Sequence, residues 1–308
     1  MKKIMTLLSA ISLSILTVNV QANTLESAVV DKDIVFKTVK GREIKLDLYK
    51  PKVHSEQPYP LLFWVHGGAW KRGSKDAIPT KNPLLLQSVI EKGYALASVD
   101  YRLSGEAIFP APVQDINDAI NFLHDHAKQY HIAADNVVMM GRSAGGHLAG
   151  LIGTTNAHGD ISFYVKPKYQ VKAVVSFFGP TDLLALGTKG GKSASKKSSV
   201  SRFLGDTPSA IPEIAKQASS TTYVNDKAPP FIQLHGTIDK RVPLSQSELL
   251  KVKLDENNIE NQLWIEEGVG HSAPIFDSQK YVPHVMAFLN KHFPVAVSYT
   301  HLTLPTTR

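Results

Sequence analysis

The stretch "NVVMMGRSAGGHLAG", residues 136–150, constrains the fold of this chain more than any other. An apolar run that does not alternate with polar residues meets a glycine, and a run of small residues follows. The first part is written as a buried strand and the last as a helix, with Ser143 at the junction. Gly141, Gly145 and Gly146 surround that serine. Glycine inside a helix costs roughly 0.5–1 kcal/mol relative to alanine, so their presence implies close packing or chemistry at the turn.

The same alternation recurs along the chain. "YPLLFWVHGGAW" is a continuous apolar run ending in glycines, the mark of a strand covered on both faces of a parallel sheet. "NPLLLQSVIEKG" has helical spacing and a glycine stop, and "YALASVDYR" is another buried strand. "PVQDINDAINFLHDHAKQY" places Val113, Ile116, Ile120 and Leu123 on one helical face. Strand "VKAVVSFFG", strand "PPFIQLHG", helix "LSQSELLKVKLDEN", strand "NQLWIEEGV" and helix "YVPHVMAFLNKHF" complete the series. Ahead of it, "DIVFKTVKGREIKLDLYKP" alternates on both sides of Lys40-Gly41 and predicts an antiparallel hairpin. Together these predict an α/β fold: a mostly parallel central sheet, an N-terminal antiparallel hairpin and helices on both faces. Ligands of such sheets sit at the carboxyl ends of the strands.

Between the sixth and seventh strands lies a polar stretch, about 181–227, containing "GTKGGKSASKKSS". Its composition predicts a mobile flap. Its lysines at 189, 192, 196 and 197 read as a solvated basic loop rather than a binding site for an anionic substrate.

The ends read differently from the middle. "MKKIMTLLSAISLSILTVNVQANT" has two lysines, a short apolar segment and small residues at Val20 and Ala22, which predicts a secretory signal peptide cleaved after Ala22. The expected location is periplasmic or secreted, with no stable membrane anchor. At the other end "VSYTHLTLPTTR" resembles translated sequencing-adaptor DNA, so residues 297–308 are expected to be non-native read-through, leaving a single domain over 23–296. The formal charge of +7 falls to +4 without Lys2, Lys3 and Arg308. With no aromatic-basic patch beside it, that excess argues against a nucleic-acid partner. The chain contains no cysteine, so no disulfide supports it.

Four constellations fall at the predicted strand ends. "GRSAG" matches Gly-x-Ser-x-Gly, in which a sharp strand-to-helix turn lifts the Ser143 hydroxyl out of the sheet. "HGGAW" leaves the amides of Gly67 and Gly68 unobstructed; with Ala144 N–H they form a candidate oxyanion hole. His66, in the same motif, reads as structural. "HGTIDKRVP" offers Asp239 as the carboxylate that orients a base, with Asp182 in "FGPTDL" and Asp100 in "VDYR" as rivals. "EEGVGHSAP" places His271 in a loop flanked by small residues. His124, His126 and His131 share a helical segment, but no acidic or cysteine partner has metal-ligand spacing. The order Ser143, Asp239, His271 differs from that of chymotrypsin and subtilisin.

From about residue 30 to 293 the chain resembles an α/β-hydrolase of the esterase/lipase superfamily. It is most similar to the bacterial branch that includes feruloyl and acetylxylan esterases, and it is related to hormone-sensitive-lipase-like carboxylesterases. The residues that carry the resemblance are "HGGAW", "VDYRLS", "FPAPVQDINDAINFL", "GRSAGGHLA", "APPFIQLHGTIDKRVP" and "GVGHS". It implies Ser143 as nucleophile, His271 as base, Asp239 as its orienter, and Gly67, Gly68 and Ala144 as oxyanion donors, with no cofactor and no metal. Two departures stand out. Ala69 occupies the place of a third glycine common in hormone-sensitive-lipase relatives, and Ser219-Ser220 replaces a frequent Ser-Pro.

The expected activity is hydrolysis of short-chain, aryl or acetyl carboxylic esters, small or carbohydrate-linked, through an acyl-enzyme. A serine amidase or peptidase is the alternative, because "HGGAW" also resembles the His-Gly-Gly-x-Trp signature of kynurenine formamidases; a prolyl-oligopeptidase-like enzyme belongs to the same reading. A non-catalytic binding protein on this fold is the third class. The sequence does not fix acyl or alcohol specificity.

Overall fold

The computed structural model describes residues 26–158, 161–188 and 195–295. The predicted signal peptide, the predicted read-through tail, Lys189 and Lys192 lie outside them. Eight strands form one sheet: β1 (Ala28–Val39), β2 (Arg42–Pro51), β3 (Tyr59–Val65), β4 (Ala95–Val99), β5 (Ile132–Arg142), β6 (Gln170–Phe177), β7 (Phe231–Gly236) and β8 (Asn261–Glu266). Their spatial order is β1-β2-β4-β3-β5-β6-β7-β8. The pairings β1–β2 and β2–β4 are antiparallel and all others are parallel. The hairpin turns at Lys40-Gly41, both with positive φ, as the twist of two paired strands favours.

Strand residues divide by parity between two cores. Leu61, Phe63, Val65, Val137 and Met139 pack with the helices Ala111–Asp125 and Ala144–Asn156. Leu62, Trp64, Val138 and Met140 pack on the other face with the helices Pro83–Lys92 and Val282–His292. This is why the strands read as unbroken apolar runs: both faces of each are covered. Val113, Ile116, Ile120 and Leu123 are all fully buried, so the expected face of their helix holds.

The described parts of the stretch between β6 and β7 are more ordered than the composition of the whole suggests. They form short helices over Leu183–Thr188, Ser199–Leu204 and Pro212–Gln217 and a 3₁₀ turn over Ser220–Tyr223. Phe203, Leu204 and Ala215 are buried in the core that holds the helix after Ser143. A few apolar side chains outweigh the polar average, because ordering here comes from burial of particular side chains.

Candidate active site

Ser143 directly follows β5 at φ 53° and ψ −123°, a conformation that a non-glycine residue adopts only where its surroundings impose it. Its amide donates to Phe177 O (2.8 Å) and its carbonyl accepts from His147 N (3.0 Å), so the turn is tied on both sides. The helix can start this close to β3 because residue 145 is glycine. A Cβ there would stand 2.0 Å from Val65 O and 2.6 Å from His66 O. The glycines around the serine are therefore needed for packing, and that packing presents the hydroxyl.

His271 follows β8 and Asp239 follows β7, and these two strands are neighbours. His271 Nε2 lies 2.8 Å from Ser143 Oγ, and His271 Nδ1 lies 2.6 Å from Asp239 Oδ2. A carboxylate only accepts, so Nδ1 carries the proton and Nε2 is free to take one from the serine. Asp182 and Asp100 are engaged elsewhere: Asp182 Oδ1 caps its own helix at Ala185 N, and Asp100 Oδ1 accepts from Lys75 N.

The second oxygen of Asp239 is also occupied, accepting from the amides of Arg241 (2.8 Å) and Val242 (3.0 Å). Burial alone would raise its pKa. Hydrogen bonds from His235 and His271, with the Val242 amide, outweigh burial and hold the carboxyl well below the usual carboxylate range. His235 was not singled out in the sequence. Fully buried, it bonds Ser247 Oγ and Val242 O at 2.8 Å each and stands 3.5 Å from Asp239 Oδ2, fixing the loop that carries the acid. A histidine ending a buried strand beside a glycine, four residues before the acid, was the available signal.

Gly67 packs against the serine turn and Gly68 against Arg72. A Cβ on Gly67 would lie 3.4 Å from Ser143 Cβ, and Gly68, at φ 129°, has Arg72 O where a side chain would begin. Neither amide makes a backbone hydrogen bond among the described residues. Ala144 is the first residue of its helix, so its N–H has no intrahelical acceptor. All three amides thus lack a backbone acceptor among the described residues.

His66 is structural, as expected. It is buried and stacked on Tyr101 with ring centres 4.4 Å apart, and burial pushes its pKa down to about 4, against the smaller opposing effect of its bond to Gly67 O. After Gly68 the chain passes through Ala69 and Trp70, both at positive φ, and buries the Trp70 ring. That ring stacks on Phe203 (4.8 Å) and donates from Nε1 to His147 Nδ1 (3.2 Å), while His147 Nε2 donates to Ala218 O (2.6 Å). His147 thus joins the glycine turn, the helix after Ser143 and the β6–β7 insertion. No group of three or more potential metal ligands occurs among the described residues.

The strand order, the serine at the β5 turn and the acid and histidine after β7 and β8 define an α/β-hydrolase. Within that class, the family model described as BD-FAE matches residues 46–254, more than half of the chain, and the chain belongs to this family. Esterase LipC of Mycobacterium tuberculosis is 28% identical over 261 residues, 80% of this chain and 62% of the relative. The chain spans only about half to three fifths of the length of the first curated relatives it matches. Among solved structures, a truncated carbohydrate esterase from gut microbiota is 25% identical at TM-score 0.73, covering 86% of this chain and 96% of that one. The bifunctional GH43-CE protein of Bacteroides eggerthii is 25% identical at TM-score 0.75, covering 85% and 35%.

Proposed function

We propose that the chain is a serine carboxylic-ester hydrolase acting through an acyl-enzyme. The observation that carries this reading is the unbroken relay from Ser143 Oγ to His271 Nε2 (2.8 Å) and from His271 Nδ1 to Asp239 Oδ2 (2.6 Å), and the amides of Gly67, Gly68 and Ala144 are the proposed oxyanion donors. In this reading Ser143 Oγ attacks the ester carbonyl carbon while its proton passes to His271 Nε2. The carbonyl oxygen becomes an oxyanion, and each amide aimed at it lowers the barrier by on the order of 3 kcal/mol. The tetrahedral adduct collapses, and the alkoxide leaves with the proton held on Nε2. Water then repeats the attack on the acyl-serine, giving its proton to His271, which returns it to Ser143 Oγ as the acid is released. Asp239 stays ionised throughout, holding the ring in the required tautomer and stabilising the imidazolium.

Short-chain and aryl esters, including acetyl or feruloyl groups on plant polysaccharide, are the proposed substrates. The family match and the likeness to a carbohydrate esterase support this range. Export by a leader over residues 1–22 is part of the same proposal and would bring the chain to such material. Ser143→Ala should abolish turnover of p-nitrophenyl acetate with circular dichroism unchanged, and a fluorophosphonate probe should label the parent chain at Ser143 only. Full turnover by Ser143→Ala would refute the assignment. Parallel assays on aryl formamides and peptides test the amidase alternative, which requires amide cleavage faster than ester cleavage.

A further inference from the structure

Arg142 fills the variable position of the serine motif, immediately before Ser143, and its side chain turns back across the site rather than out to solvent. The guanidinium donates from Nη1 to Asn82 Oδ1 (3.1 Å) and Lys81 O (3.3 Å), and from Nη2 to Ser272 O (3.5 Å). It also lies over the Phe178 ring, 5.3 Å from its centre. The edge of Phe178 in turn meets the His271 ring, with centres 4.8 Å apart. Ser272 directly follows His271 and holds a positive φ of 64°. Further along the same loop, Asp277 accepts from Leu84 N (3.0 Å) and Leu85 N (2.9 Å), tying the loop to the first turn of the helix that Asn82 precedes. Arg142 thus meets the loop that carries His271 in two ways, through a backbone carbonyl and through the ring packed on the imidazole.

We propose that Arg142 is a positioning residue that holds the His271 loop against the serine turn, so that Nε2 stays within reach of Ser143 Oγ. This rests on the ester-hydrolase reading above. A planar group with five donors can bridge carbonyls of two segments while stacking on an aromatic face; an ammonium on a flexible stem cannot do both at fixed geometry. Displacement of a base by about 1 Å can cost as much as a hundredfold in rate, and it costs rate rather than substrate affinity.

The test compares the parent chain with Arg142→Met, Arg142→Lys, Phe178→Leu and the double variant Arg142→Met/Phe178→Leu on p-nitrophenyl acetate. In Arg142→Met, kcat should fall by roughly tenfold or more with KM nearly unchanged. Fluorophosphonate labelling should slow in proportion, and circular dichroism should be that of the parent. Arg142→Lys should recover only part of the loss. If the arginine acts through the ring, the double variant should lose less than the product of the two single losses. A folded Arg142→Met with parental kcat overturns the proposal while leaving the function intact, as does a loss confined to KM. Should Arg142→Met not fold, Arg142→Lys carries the same decision, since parental kcat there is equally contrary. Absence of ester hydrolysis in the parent chain overturns both readings.

Discussion

The residues around Ser143 combine two demands that local propensity would keep apart. A helix prefers alanine to glycine, yet position 145 lies so near the β3 backbone that no Cβ fits. Gly145→Ala should therefore destabilise the fold by roughly 1–3 kcal/mol, as overpacking does, although alanine is the better helix former. Urea denaturation would measure this; a stability gain would show that the contact relaxes freely. At Asp239 a buried carboxylate is kept charged because both of its oxygens accept hydrogen bonds. Its ionisation is a property of the fold, since nothing in "TIDKR" alone would lower its pKa.

At the level of elements, the described parts of the insertion between β6 and β7 form a packed wall rather than a loose flap. Phe203 is fully buried, stacked on Trp70 and edge-on to His147 at 5.5 Å. His147 holds the same insertion through Ala218 O. These contacts fix the turn that carries Gly67 and Gly68, because Trp70 is only two residues beyond it. Phe203→Ala should cost about 3–5 kcal/mol of stability. The proposed ester turnover of the surviving folded protein should fall as well, because the proposed oxyanion amides lose their backing. Urea denaturation and p-nitrophenyl acetate kinetics would read both effects, and an unchanged kcat would separate the insertion from the site.

Across the whole molecule, buried histidines make stability depend on pH. Burial pushes His66 and His147 down to about 4, each partly offset by a backbone hydrogen bond, whereas histidines of an unfolded chain titrate near 6.5. Above about pH 7 both are neutral in either state. As pH falls, the unfolded chain binds protons that the folded chain does not, so stability declines, by roughly 2 kcal/mol per histidine between pH 7 and 5. Asp239, held below the carboxylate range, adds to the loss at still lower pH. Asp100 and Asp277, raised by burial, act in the opposite sense there. Urea midpoints at pH 7 and 5 check this, and equal stability at both would contradict it. Periodicity and glycine placement are local signals. From them the sequence alone determined the parallel sheet and its hairpin, the strand-to-helix turn at Ser143 and the loops that hold Asp239 and His271. Which of three aspartates would meet the imidazole was not local. It followed from β7 and β8 lying side by side, which brings together groups 32 positions apart. The contacts of His235, Phe178 and Arg142 and the burial of the insertion's described parts were likewise decided only in three dimensions, because each joins segments that no local pattern links.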